Sequence, residues 1–132
     1  MRDLRNILLA GLLPKLETVT GLKAYVRLPE KSATPPYIFV SEIYQSEDGP
    51  KTGFTYNIEC KINIVYNDIK SNIELYSKMD NVLSFVNNRK PFEITGFEIQ
   101  ACELISSFDE QSENPNGTTD STGMIRLNFK IK

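Results

Sequence analysis

From residue 54 to residue 66 the chain alternates without a break. Phe54, Tyr56, Ile58, Cys60, Ile62, Ile64 and Tyr66 fall on one side of an extended backbone, and Thr55, Asn57, Glu59, Lys61, Asn63 and Val65 fall on the other. Successive side chains of a β-strand point to opposite faces, so this period of two predicts a long strand. One face is almost wholly apolar and the other almost wholly polar. The sheet that contains it is therefore covered on one side and open to solvent or a partner on the other.

Two helical patterns are available to cover it. Leu4, Ile7, Leu8, Leu12 and Leu16 recur at helical spacing between Asp3 and Thr18, with Asp3 placed to favour the positive N-terminal end. Pro14 removes a backbone donor there, which predicts a kink or end near Leu13 and a loose restart before Thr20-Gly21. The second pattern is Ile69, Ile73, Tyr76, Met79, Leu83 and Val86, with Lys70, Asn72, Glu74, Lys78 and Asp80 between them, an amphipathic helix suited to lie on the sheet.

The other extended runs are shorter. Residues 22–28 place Ala24, Val26 and Leu28 on one side and Lys23, Tyr25 and Arg27 on the other, and Pro29 closes the run. Pro35-Pro36 imposes extended backbone before a second run over 37–44. Residues 45–53 hold Asp48-Gly49-Pro50 and a second glycine, turn formers that predict a hairpin with an exposed tip. Phe92 and Ile94 begin another run whose apolar parity changes at Gly96, as a bulge or tight turn at Thr95-Gly96 would cause. Ile125, Leu127, Phe129 and Ile131 alternate with Arg126, Asn128, Lys130 and Lys132 in a last half-buried strand. Between these, residues 106–122 are polar and acidic, contain Asn114-Pro115-Asn116-Gly117 and hold no basic residue, a pattern that reads as a mobile loop. The fold class that follows is α+β, in the order α-β-β-β-α-β-β. It is a single mixed, mainly antiparallel β-sheet packed on one face by two helices, in one domain spanning 1–132 with mobile loops at about 45–53 and 106–122.

The chemistry is conspicuous for what it omits. The chain has no histidine, which removes the commonest general base and zinc ligand and every triad built on imidazole. Glu59, Glu93, Glu98 and Glu103 leave carboxylate catalysis formally open, but alternating glutamates on a wet face are commonly solubility devices. Gly96, Gly117 and Gly123 are isolated turn formers with no phosphate-loop lysine beside them. Asp109, Asn114, Asn116 and Asp120 loosely suggest calcium without the spacing or terminal glutamate of an EF-hand loop. Cys60 and Cys102 sit in apolar runs as small hydrophobes, with no second thiol at ligand spacing. No cofactor, no metal and no enzymatic activity are expected.

Fifteen basic residues stand against 17 acidic ones, for a formal charge of −2, which disfavours specific nucleic-acid binding. No apolar run approaches the length of a membrane span, and Asp3 interrupts the basic start that would imitate a signal peptide, so no membrane partner and cytoplasmic synthesis are expected. Binding is left to the long loops. The candidate interaction residues are Glu47, Asp48, Lys51 and Phe54 around the first tip, and Asp109, Glu110, Glu113 and Asp120 in the acidic segment. The polar faces of 54–66 and 125–132 are a further candidate, because edge strands pair between subunits. In each case the alternative is ordinary wet surface.

The helix carrying Leu4, Leu8 and Leu12, the run Pro35-Pro36-Tyr37-Ile38-Phe39-Val40, the long strand to Tyr66, the helix with Leu83 and the final Gly123-Met124-Ile125-Arg126-Leu127-Asn128-Phe129 together resemble the tail terminator and tail completion (head-tail joining) proteins of tailed bacteriophages. The resemblance covers most of the chain. It rests on element order and a proline-tyrosine strand start, so no functional residue transfers from it. It implies a virion protein of the tail or neck that forms a homo-oligomeric ring, commonly a hexamer. Such a ring caps the tail tube and joins it to the head-tail connector or neck proteins, with DNA only as passing cargo. A closed ring needs a heterologous interface, which extended strands and loops supply, and a duct for DNA should carry the negative charge that avoids binding it. Alternatives are another neck, connector or baseplate component, or a small soluble host-directed binding module.

Overall fold

A computed structural model describes residues 2–30, 33–48, 55–87 and 91–132, with only the backbone of Asp48. Along the chain come helix α1 (Arg5–Thr20), strands β1 (Lys23–Tyr25), β2 (Tyr37–Asp48) and β3 (Thr55–Asn67), helix α2 (Ile73–Val86), and strands β4 (Ile99–Glu113) and β5 (Thr119–Ile131). The strands form one five-stranded sheet in the order β1-β2-β3-β5-β4. β1 runs parallel to β2, and the remaining neighbours are antiparallel. This is the α+β architecture and element order that the hydrophobic periodicity predicts.

The core forms where the two best alternations meet. Ile58 lies opposite Phe129, Cys60 opposite Leu127 and Ile62 opposite Ile125, and all six are fully buried. Cross-strand pairs of this kind are the unit of sheet stability, and each fully buried aliphatic side chain adds about 1.5–3 kcal/mol. Leu4, Leu8, Leu12 and Leu16 from the α1 side and Leu75 and Val82 from α2 complete the same cluster.

Four expectations are corrected. Helix α1 does not end near Leu13 but continues through Pro14 to Thr20. A proline inside a helix costs about 3 kcal/mol, yet Leu12 and Leu16 on either side of it are fully buried, and two such leucines return about 3–6 kcal/mol. Burial therefore wins over the local breaker. The helix stops instead at Gly21, whose φ of 73° allows its N–H to donate back to the Glu17 carbonyl at 2.8 Å.

Strand β1 is shorter than 22–28, and Val26 and Leu28 are exposed rather than sharing a buried side with Ala24. Because β1 and β2 are parallel, the chain must leave the sheet after Tyr25 and travel back to Tyr37. Helix α2 is rotated from the expected stripe: Leu75, Met79, Val82, Phe85 and Val86 are buried, whereas Ile73 and Tyr76 point outward. Both stripes include Met79 and Val86, and the choice between them is made by β5. An added Cβ at Gly123 would lie 2.5 Å from Met79 Sδ and 3.1 Å from Leu75 Cδ1, so that glycine is what lets this face of α2 close on the sheet.

The largest correction concerns 106–122. It is not a mobile loop but most of a hairpin, with β4 and β5 paired from Ile99–Ile131 to Glu113–Thr119. Backbone ladder bonds hold it without an apolar face. The connection is the five residues Asn114-Pro115-Asn116-Gly117-Thr118, in which Gly117 takes a φ of 86° and the Asn114 N–H donates to the Thr118 carbonyl at 2.8 Å. The tight turn expected at Thr95-Gly96 is present, bridged by Ile94 and Phe97 with Gly96 at φ 81°.

Candidate assembly surface

The outer sides of β1 and β4 are the two edges of the sheet. An edge strand carries a row of backbone groups that its own sheet does not pair. β4 is long, and it displays Leu104, Ile105 and Phe108 at 51%, 50% and 43% exposure. Leu104 lies opposite Leu127 and Phe108 opposite Met124, with a register shift between Leu104 and Ser106 that leaves Ile105 as the extra residue. Leu104 thus shares the helix-covered face of the sheet, and Phe108 the other. The bulge spreads apolar surface to both sides of one edge.

The polar face is only partly open. Asn63 and Val65 are buried on it, and Asn63 donates to Ser41 Oγ at 2.9 Å and to the Phe39 carbonyl at 3.1 Å. Together with Tyr37, Phe39, Glu110, Ser112 and Asp120 they line a hollow of about 310 Å3. Burial, then the nearby charge of Asp120, holds the Tyr37 hydroxyl above its ordinary value. The upper half of β3 is therefore sheltered where uniform exposure was expected.

Lower on that face lies a charge network built by a second bulge. Ser41 pairs with Lys61 and Tyr44 with Glu59, so Glu42 and Ile43 together oppose Cys60. Without the extra residue Glu42 would follow Ile38 and Val40 into the core. Instead it takes a left-handed φ of 50° and accepts from Lys61 Nζ at 2.7 Å and Arg126 at 2.9 Å, while Arg126 also reaches Glu59 at 3.2 Å. Bonding to Lys61 first, and then to Arg126, lowers the Glu42 carboxyl below its usual range. Strain at a non-glycine residue is tolerated here because it keeps a carboxylate out of the core and pairs it.

The eight residues singled out for interaction do not converge. Glu47 lies opposite Tyr56 at one end of β3, whereas Asp120 lies opposite Asn67 at the other, roughly 35 Å away at the rise of a strand. Asp48 ends β2 beside Thr55; Lys51 and Phe54 lie outside the described residues. Asp109 accepts from the Tyr76 hydroxyl at 3.3 Å. Glu110 lines the hollow, and Glu113 lies opposite Thr119 near the turn. Asp120 accepts from Asn67 at 2.7 Å and from Asn114 at 3.1 Å, and Asn116 accepts from Thr118. That cluster braces the turn, and among the described residues no group of three acidic or thiol side chains is set to hold a metal. Leu104, Ile105, Phe108, Val26 and Leu28 were missed, since an exposed aliphatic residue on an edge has the same composition signal as a core one.

Glu59 pairs with Arg126 and Glu103 with Lys130. Cys60 and Cys102 are free thiols on strands separated by β5, roughly 10 Å apart at two strand spacings and beyond the reach of a disulfide. Burial pushes both up to about 12, so neither is a ready nucleophile. Among the described residues no helix is long and apolar enough to cross a membrane.

No protein-family model matches the chain, and no curated protein matches it significantly. The fold is shared with a chain in the virion of a native gene transfer agent (GTA) particle. The similarity has a TM-score of 0.70 at 11% identity and covers 98% of this chain and 99% of that one.

Proposed function

We propose that this chain is a structural subunit of a phage-like virion, of the tail-terminator kind. In this reading it closes into a homo-oligomeric ring, a hexamer, that caps the tail tube and joins it to the head-tail connector, with DNA only passing through. The observation that carries the reading is the end-to-end similarity of fold to a chain of a gene transfer agent virion, which leaves almost no part of either chain unmatched. Element order and the proline-tyrosine strand start agree with it. So does the chemistry: no histidine is available, and desolvation keeps the buried Cys60 thiol and the half-buried Cys102 thiol neutral. A ring is also suited to a molecule with two unlike, unpaired sheet edges.

The reading is tested by light scattering and negative-stain images of the purified chain, together with labelled particles. Rings in solution and a label at the head-tail junction are expected. A label at the distal end of the tail would reassign the chain to the baseplate, and a persistent monomer with no label on particles would favour a soluble binding module.

A further inference from the structure

We propose that the β4 edge of one copy docks head to tail on the β1 edge of the next, an inference that rests on the ring reading and supplies its subunit contact. The two edges lie at opposite ends of the strand order, and each has large exposed apolar side chains beside it: Val26 and Leu28 in the segment that follows β1, Leu28 also reaching the hollow over the polar face, and Leu104, Ile105 and Phe108 on β4. Among the described residues, five of the eight exposed large hydrophobic residues therefore lie on β4 or in the segment that follows β1. A scatter of single residues would need no explanation, whereas paired patches at opposite ends of one sheet do.

Charge identifies the occupant. β4 carries Glu103, Asp109, Glu110 and Glu113 and no basic residue; Glu103 is neutralised by Lys130, and the other three have no ion-pair partner among the described residues. The opposite edge carries Lys23 and Arg27, also without ion-pair partners among the described residues, against the single acid Glu30. Two β4 edges brought together would set acid against acid, which is unfavourable for strands side by side. An acidic edge on a basic one is favourable, and it places the same two surfaces in contact at every junction. The shape also fits. Residues 25–30 and Ala33 line a hollow of about 480 Å3 beside β1, roomy enough for a protruding ring such as that of Phe108. β1 is only three residues long, so side chains rather than a long backbone ladder make this contact. Because donor and acceptor surfaces differ, the interface is heterologous, the kind that generates a ring when its rotation closes.

The test is sedimentation velocity of the full chain at low and high salt, with circular dichroism to verify folding. Asp109→Lys with Glu113→Lys, and separately Lys23→Glu with Arg27→Glu, should each weaken association about tenfold or more. Mixing the two variants, or combining all four changes in one chain, should restore it, because every junction then again joins opposite charges. Phe108→Ala should weaken assembly without altering charge, and rising salt should dissociate the wild type. A wild type that assembles while both reversed variants assemble equally well would overturn the edge contact and leave the ring reading standing. Loss of assembly on reversing β4 alone, with no effect of reversing β1 and no rescue on mixing, would instead mean β4 pairing with itself. A wild type monomeric at every concentration would overturn both readings.

Discussion

β5 and β4 are neighbours of similar length joined by five residues, yet they obey different rules. Along β5 every second residue from Ser121 to Ile131 is buried, whereas β4 is almost entirely exposed beyond Ala101. β5 lies between two strands with α2 above part of it, so each side chain on one face displaces water. β4 has one neighbour and an open flank. The contrast teaches that alternation reports burial, and that an edge strand held by its ladder needs no alternation at all.

The contrast breaks first, and most severely, at Phe129, which is fully buried on β5 and packs edge to face against Phe92 with ring centroids 5.7 Å apart. Phe129→Ala should cost about 3–5 kcal/mol in a urea melt. A smaller effect is expected at Gly11 in α1. There an added Cβ would stand 2.7 Å from the Phe92 ring and 3.0 Å from the Glu93 carbonyl. Gly11→Ala gains about 1 kcal/mol in helix propensity but overpacks by about 1–3 kcal/mol, for a net loss of about 0–2 kcal/mol by the same melt.

Phe108 on β4 sharpens the comparison from the other side. Phe108→Ala should change the stability of the dissociated monomer by less than about 1 kcal/mol, so a loss matching that at Phe129 would mean β4 is a core strand after all. The smallest effect is expected at Glu42. Its folded carboxyl lies below the ordinary 4.5, so its contribution is present above that pH and is lost as pH falls through the lower folded value. Glu42→Gln should lower the stability slightly in a neutral-pH melt and flatten the acid limb of the profile by the same small amount. An unchanged acid limb would count against the network.

Legibility followed the same division. β3 and the run ending at Ile131 were readable because one face of each is buried in the same core. The acidic hairpin was not, since Glu110, Gln111 and Ser112 carry the composition of a loop and gain their strand geometry from Thr122, Ser121 and Asp120 across the ladder. The Glu42 bulge left a trace in the parity change between Val40 and Ile43, visible only once their burial is known. Of the candidate interaction residues, Asp109, Glu110 and Glu113 were singled out by composition and lie on β4, but Leu104, Ile105 and Phe108 beside them were not, because exposure is a property of what lies above a residue.

Period and turn chemistry act between residues close in the chain, and so the element order, the long strand β3, the tight turn at Gly96 and the absence of imidazole chemistry follow from the amino acids alone. Other features depend on contacts between residues far apart. The rotation of α2 waits on Gly123, the persistence of α1 through Pro14 on the burial of Leu12 and Leu16, and the end of β1 on the return path to a parallel neighbour. Whether an apolar side chain becomes core or contact surface is settled in the same way, by which strand is left at the edge of the sheet.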